Sequence, residues 1–540
     1  MAHTDLAGAD GPGTQSSEED TIGGVAAAPS RRRATELLAR LGTDARAGAT
    51  SPSAPFTGEP IVTLPQAGDA EVRSAFARAR EQQPSWAAVP ARERQQILGR
   101  LHDLILDRQR EALDLIQVEA GKSRLDAFDE ISSSALVAAY YGKHSARMLS
   151  AKRAAGVIPL LTKAAELHHP KGVIGVITPW NYPLALTAMD VLPALAAGNT
   201  VVQKPDNQTT LSALWLHELA AEAGLPPGAW QVVPGDGPTV GTAMVDEADY
   251  LCFTGSTPTG RHLAGQLADK LTNYSLELGG KNPMIVLPDA DIATAAAGAV
   301  TACFSSAGQL CVSVERLYVH EDIREQFTAE FVRRTEAMRI GAGLDYNHDM
   351  GSLTSSHQLD GVISHVENAR RHGARILTGG RTRQELGPLF YEPTIITDVS
   401  AETDLYRAET FGPVVAVYGY RDTDEAVRKA NDTAFGLNAS VWSASTARAW
   451  DVASRIKAGT VNINEGFAAT FGTVGLPMGG MKHSGVGRRN GSDGLLRYTD
   501  SQALAAQRGL RLRPPRFVPA RAWTRSLTAS LKRLRRIPRR

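Results

Sequence analysis

Cysteine is scarce in this chain of 540 residues: only Cys252, Cys303 and Cys311 occur. Their odd number and their spacing exclude a disulfide framework and a Cys-ligated metal site, and point to reduced thiols in the cytoplasm. Long apolar runs are missing as well. None reaches the roughly 18 residues of a membrane-spanning helix, and the opening MAHTDLAGADGPGTQSSEED has neither the basic nor the apolar stretch of a secretion signal. A dominant charge is also absent, since the formal net charge is +1. That balance hides an asymmetry. From Ser501 onward there are twelve Lys/Arg and no acid, so residues 1–500 hold 46 Lys/Arg against 57 Asp/Glu. An acidic body excludes a chain-wide basic footprint for nucleic acid.

What is present reads as α/β. The length predicts two or more domains. Residues 1–55, rich in Ala, Gly, Ser and Pro, are expected to form a disordered leader with one candidate helix at RRRATELLARL. From about 70 to 145 the pattern is that of successive amphipathic helices. The rhythm then changes. KGVIGVI, NTVVQK, AWQVV, DYLCF and PMIVL are short β-branched runs, the earlier ones separated by helical segments, which predicts a parallel sheet covered by helices. A second alternating region runs from about 312 to 480. SAKRAAGVIPLLTKAAELHHP interrupts the first region and reads as an excursion toward a neighbouring subunit.

Two glycine patterns compete as phosphate cradles. PGDGPTVG (234–241) is weak and reads as a plain loop from strand to helix. FTGSTPTG (253–260) is better placed, because Gly255 and Ser256 end a strand and Thr257-Pro258 open a helix whose N–H groups can hold a pyrophosphate. Five further stretches follow in order: TPWNYP (178–183), Lys204-Pro205, LELGGKNP (276–283), GQLC (308–311) and ETFGP (409–413). Each alone has a bland reading, with Asn181 a turn residue, Glu277 a paired carboxylate and Cys311 an inert thiol. Together with the late PMGGMKHSGVGR, they make the chain from about 60 to about 508 resemble the NAD(P)-dependent aldehyde dehydrogenase superfamily. More narrowly, KPDNQT and the basic C-terminal tail are similar to the actinobacterial NADP-type succinate-semialdehyde dehydrogenases.

The resemblance implies a fold: a Rossmann-like doubly wound cofactor domain (60–150 and 171–277), an α/β catalytic domain (278–490) and a β oligomerisation element (151–170 and 491–508). It implies a homodimer or homotetramer, NADP (preferred) or NAD as cofactor, and no metal. An aldehyde is a poor hydride donor until a nucleophile adds to it, so Cys311 is expected to attack. Asn181 and the Cys311 N–H would stabilise the oxyanion, and Glu277 would activate the water that opens the thioester. Thr178, Trp180, Lys204, Gly255, Ser256, Glu409 and Phe411 are implied as cofactor contacts. Asn207 stands where NAD-preferring members commonly carry a glutamate, so repulsion of a 2′-phosphate is removed. Tyr182, Leu186, Met189, Leu310 and Phe467 are expected to wall the aldehyde pocket. Met189 and Ser305 occupy the places where succinate-semialdehyde dehydrogenases carry arginines, which leaves succinate semialdehyde beside a broader aliphatic or aromatic aldehyde. A cofactor-independent cysteine hydrolase is the other class; it would need a His activating Cys311, and no His motif stands out. The tail (509–540) reads as a basic amphipathic helix from about 522, with Trp523, Leu527, Leu531 and Leu534 on one side. That pattern suits an anionic membrane surface; a solvated tail, or one docked on the acidic body, is the competing reading.

Overall fold

In the computed structural model, residues 21–26, 28–41, 48–156, 161–508 and 513–534 are described. The chain divides into two units, one formed by residues up to Met148 with Pro170–Tyr498, the other by Leu149–His169 with the residues from Thr499 onward.

The first unit holds two sheets. The β-branched runs form one of six strands, in the order Gly485–Val486, Asn273–Glu277, Tyr250–Thr254, Val173–Ile177, Thr200–Lys204, Trp230–Val232. All pairs are parallel except the first. Val173–Ile177 and Thr200–Lys204 are buried throughout, as strands covered on both faces must be. Chain order runs away from Val173–Ile177 in both directions, and at such a reversal a cleft opens beyond the carboxyl ends of the strands. The edge pair was not foreseen: Gly485, from the segment assigned to the catalytic domain, lies opposite Glu277 and braces the strand that carries it.

Residues 278–281 lead from this sheet into the second. Its seven strands run Arg375–Thr378, Thr394–Thr397, Val414–Tyr420, Val314–His320, Asn282–Val286, Asn438–Trp442, Thr460–Ile463. Phe304, Phe327, Phe331 and Leu317 fill a core on one of its faces.

The expected disordered leader fails where it is described. Arg31–Leu38 is a helix capped by Ser30, with Ala34 and Leu37 fully buried. Arg33 pairs with Glu111 and, at 2.8 Å, with Glu218, which also takes Arg40 at 3.0 Å and Arg108 at 2.8 Å. Composition over a local window could not reveal partners 78 and 185 residues away. Residues 1–20 of that leader lie outside the described residues.

The second unit is a three-stranded sheet, Thr499–Gln507, Thr162–Pro170, Lys152–Ala154, followed by the helix Ala520–Leu534. Gly491–Leu496, grouped with this element from sequence, is instead a helix of the first unit.

Replacing the fully buried Leu37 by Asp should release the N-terminal segment while the two sheets stay folded. Limited proteolysis is expected to cut within residues 21–47 of Leu37→Asp at protease levels that leave the wild type intact; equal protection would show that the apolar face does not hold it.

Candidate active site

Cys311 is delivered by a turn that most sequences could not make. Ser306, Ala307 and Gly308 lie in succession in the left-handed region, at φ 53°, 54° and 70°. Each non-glycine residue there costs about 1–2 kcal/mol, so the turn must be held from outside. Tyr182 Oη meets Ser306 Oγ at 2.9 Å, and Asp126 accepts the Ser306 N–H. Gln309 donates to the Ser306 carbonyl and accepts from the Thr354 N–H. A Cβ on Gly308 would stand 2.1 Å from the Gly412 carbonyl oxygen, so only glycine fits. The small residues in SSAGQLC serve this turn.

The thiol opens into a chamber of about 300 Å³ shared with Asn181, Glu277, Trp180, Glu409 and Phe411. Asn181 Nδ2 donates one hydrogen to the Gln309 carbonyl at 2.9 Å, which fixes the amide beside the Cys311 turn and leaves its second hydrogen. Glu277 ends the strand Asn273–Glu277 and is 5% exposed, and its Oε1 is buried without a hydrogen-bond partner among the described residues. Burial pushes this carboxyl up to about 7, against the pull of Arg489 and Arg497. Burial also pushes the Cys311 thiol up to about 12, with the Glu277 charge adding to it. At neutral pH the resting pair is therefore a thiol beside a carboxyl poised to titrate. The residues lining the chamber include no histidine, which removes the activating group a cofactor-free cysteine hydrolase would need.

The opposite wall is set by a buried ion pair. Lys281 Nζ meets Glu315 Oε2 at 2.5 Å, and the Glu315 carboxylate accepts the N–H groups of Thr410 and Phe411. Gln358 binds the Phe411 carbonyl at 3.0 Å, and Phe411 itself sits at φ 52°. The ring of Phe411 meets Trp180 edge-on, 5.6 Å between centroids. Glu409 accepts the Gly280 N–H at 2.7 Å, and burial raises its carboxyl to about 8. Gln358 and the Lys281–Glu315 pair were not singled out from sequence; Lys281 stands in LELGGKNP, but no local pattern ties Glu315 to it.

A second cleft of about 550 Å³ lies at the carboxyl ends of the cofactor-sheet strands, at the reversal of strand order. It shares Trp180, Gly255 and Ser256 with the chamber, and adds Thr178 and Lys204. Ser256 caps the helix Thr257–Asp269 with Pro at its start, so free N–H groups face the cleft as expected. Lys204 is 7% exposed, with Asp206 and Asp236 near its ammonium. These donors fit a dinucleotide with a pyrophosphate. Two readings need correction. Gly237, Pro238 and Gly241, from the weaker glycine pattern, do line the cleft. Asn207 does not: its amide donates to Gln66 Oε1 at 2.9 Å and accepts the Gly235 N–H at 3.0 Å, while Asp206 faces the cleft in its place. A residue's flanking motif cannot show which side chain a loop turns inward.

The expected aldehyde wall is buried: Tyr182 at 2% exposure, Leu186 at 5%, Met189 at 1%, Leu310 at 4% and Phe467 at 6%. Tyr182, Leu186 and Met189 lie at the start and along one side of the helix Pro183–Ala196, but among these five only Leu186 lines the chamber. Lys122, missed from sequence, places its Nζ 3.2 Å from the Tyr182 ring centroid and pairs with Glu130 at 2.6 Å.

The description "Aldehyde dehydrogenase family" matches residues 44–504 of the chain. The chain belongs to the aldehyde dehydrogenase family. A protein of Mycolicibacterium smegmatis, provisionally named a succinate-semialdehyde dehydrogenase [NADP(+)], is 48% identical over 483 residues, covering 89% of this chain and 93% of its own. Among solved structures, an E. coli NADP-dependent enzyme is 34% identical with a TM-score of 0.82, covering 85% of this chain and 95% of its own. An NAD-dependent aldehyde dehydrogenase of Sinorhizobium meliloti is 34% identical with a TM-score of 0.83, covering 87% and 93%. This aldehyde dehydrogenase is thus an NAD(P)-dependent oxidoreductase that turns an aldehyde into its acid.

As a base Glu277 would act only when ionised, so hydrolysis is expected to speed up as pH rises through about 7 and to fall below it. Glu277→Gln should release one burst of reduced cofactor at 340 nm and then turn over about 100- to 10,000-fold more slowly. Turnover of this variant at the wild-type rate would remove Glu277 from the mechanism.

Proposed function

We propose that Cys311, Asn181 and Glu277 divide the reaction among them, with succinate semialdehyde as substrate and NADP+ as preferred cofactor. One observation carries the division: thiol, amide and unpartnered carboxyl line the same chamber. Cys311 Sγ gives its proton to solvent water and bonds to the aldehyde carbon, and the second Asn181 N–H with the Cys311 N–H holds the resulting oxyanion. Thr178, Lys204 and Ser256 would hold NAD(P)+ in the cleft, where it would supply the acceptor for the hydride. Glu277 then takes a proton from water, whose oxygen attacks the thioester, and the carbon–sulfur bond breaks to free the acid and return the cysteine.

The choice of succinate semialdehyde and of NADP+ rests on the names of the relatives. A second reading of the substrate, an uncharged aliphatic or aromatic aldehyde, is favoured by a specific observation. Asp126, Asp129, Glu130 and Glu465 cluster with Lys122 as the one cation among them, and burial with these neighbouring acids pushes Asp129 up to about 6. The residues lining the chamber include neither these acids nor any Lys or Arg, so a substrate carboxylate there would meet no cation. Comparing kcat/KM for succinate semialdehyde with butanal and benzaldehyde decides between the two; preference for succinate semialdehyde by tenfold or more, in keeping with about 1.4 kcal/mol per tenfold, supports the first, and the reverse order the second.

For the cofactor, kcat/KM with NADP+ is expected to equal or exceed that with NAD+. Because the Asn207 amide is turned to Gln66 and the Gly235 N–H, Asn207→Asp is expected to leave the ratio of the two values unchanged; a selective fall in the NADP+ value would return this residue to the cleft, where a carboxylate repels a 2′-phosphate.

The second unit supports a homodimer or homotetramer. Thr499–Gln507 is an edge strand exposed beyond Thr499, with Leu504 at 55% exposure, and edge backbone groups of this kind seek a partner strand. Light scattering is expected to give a dimer or tetramer mass at micromolar concentration, and a monomer mass would refute the assembly. The enzyme is proposed to work in the cytoplasm.

A further inference from the structure

The family match ends at residue 504, and the chain beyond it has a chemistry of its own. Ala520–Leu534 is a 15-residue helix. At about 100° per residue, Trp523, Leu527, Leu531 and, by sequence, Leu534 fall on one side, while Arg521, Arg525 and Lys532 gather on the opposite side. The cations are exposed, as is Leu531 at 54%, and Phe517 just before the helix is 86% exposed. The Thr524 and Thr528 hydroxyls bond back to the carbonyls of Arg521 and Thr524, at 3.1 and 2.7 Å. No acid follows Asp500 to neutralise the twelve Lys/Arg.

We propose that Ala520–Leu534 is a membrane-surface anchor, lying flat on an anionic bilayer with Trp523, Leu527 and Leu531 among the acyl chains and Arg521, Arg525 and Lys532 held at the headgroups. A bilayer of this charge satisfies both sides of the helix at once. A nucleic acid would take the cations and leave Leu531 and Phe517 in water. Docking on the acidic body would answer the charges, but it gives no account of Phe517 and Leu531 being exposed. No helix among the described residues is long and apolar enough to cross a membrane, so the contact is with the surface.

The test uses the full chain at about 0.15 M salt, where surface charges are partly screened. Wild type, the pair Leu527→Glu with Leu531→Glu, and the triple Arg521→Gln, Arg525→Gln and Lys532→Gln are sedimented with phosphatidylglycerol–phosphatidylcholine vesicles and with phosphatidylcholine alone. Wild type is expected to pellet with the anionic vesicles at least about tenfold more than with neutral ones, and both variants to stay in the supernatant. All three should keep the same dehydrogenase activity, because none of the changed residues lies in the chamber or the cleft, so loss of binding is not loss of fold. Pelleting that is absent, indifferent to lipid charge, or unchanged in the Leu527→Glu, Leu531→Glu pair overturns the proposal. So does binding of a DNA duplex by wild type and that pair alike with no binding to vesicles, which would make the tail a nucleic-acid contact.

Discussion

A thiol and two carboxyls share one small chamber, and burial keeps their charges expensive. Cys311, Glu277 and Glu409 are each pushed upward by removal from water, and each ionised carboxylate makes the thiolate harder to form. Much of the surrounding structure serves to place these groups without neutralising them. Asp190, fully buried, binds Arg489 and Arg497, so that the two guanidiniums near Glu277 are matched by a carboxylate of their own. The Glu277 carboxyl is raised by burial but still ionises near neutral pH, at about 7.

The same economy of strain is visible in the two loops that face each other across the chamber. Ser306, Ala307 and Phe411 all hold left-handed backbone that side chains disfavour. Neither loop carries this alone. The first is tied by Tyr182, Asp126 and its own Gln309, the second by Glu315 and Gln358, and all of these side chains but Gln309 come from elsewhere in the chain. The tethers turn strained loops into fixed walls, which is what a chamber requiring two reacting groups at fixed separation needs.

Legibility in the sequence followed the range of the interactions. Cys311, Asn181, Glu277, Trp180, Glu409 and Phe411 sit in short motifs at strand ends, where chain direction and the strand reversal determine what a residue faces; these were readable and the structure gathers them in one chamber. The alternation of β-branched runs with helices gave the parallel sheets for the same local reason. Asn207 was misjudged because its orientation depends on Gln66, 141 residues away. The helix at RRRATELLARL was foreseen, but the order of the segment around it was not, because that order comes from Glu111 and Glu218 while its own composition resembles that of a loose leader. Tyr182 and Met189, expected as walls of the aldehyde pocket, are buried but do not line the chamber; that Tyr182 would carry Lys122 against its ring required the tertiary fold.

The chamber's electrostatics can be measured on the free enzyme through the thiol itself. Cys252 and Cys303 are buried, so alkylation by iodoacetamide reports on Cys311, the one cysteine with partial exposure. The account predicts a second-order rate that keeps rising past pH of about 9, beyond the usual thiol value of about 8.5, and a rise shifted to lower pH in Glu277→Gln, where one nearby charge is removed. A wild-type rate already at its plateau below about pH 7 would contradict it.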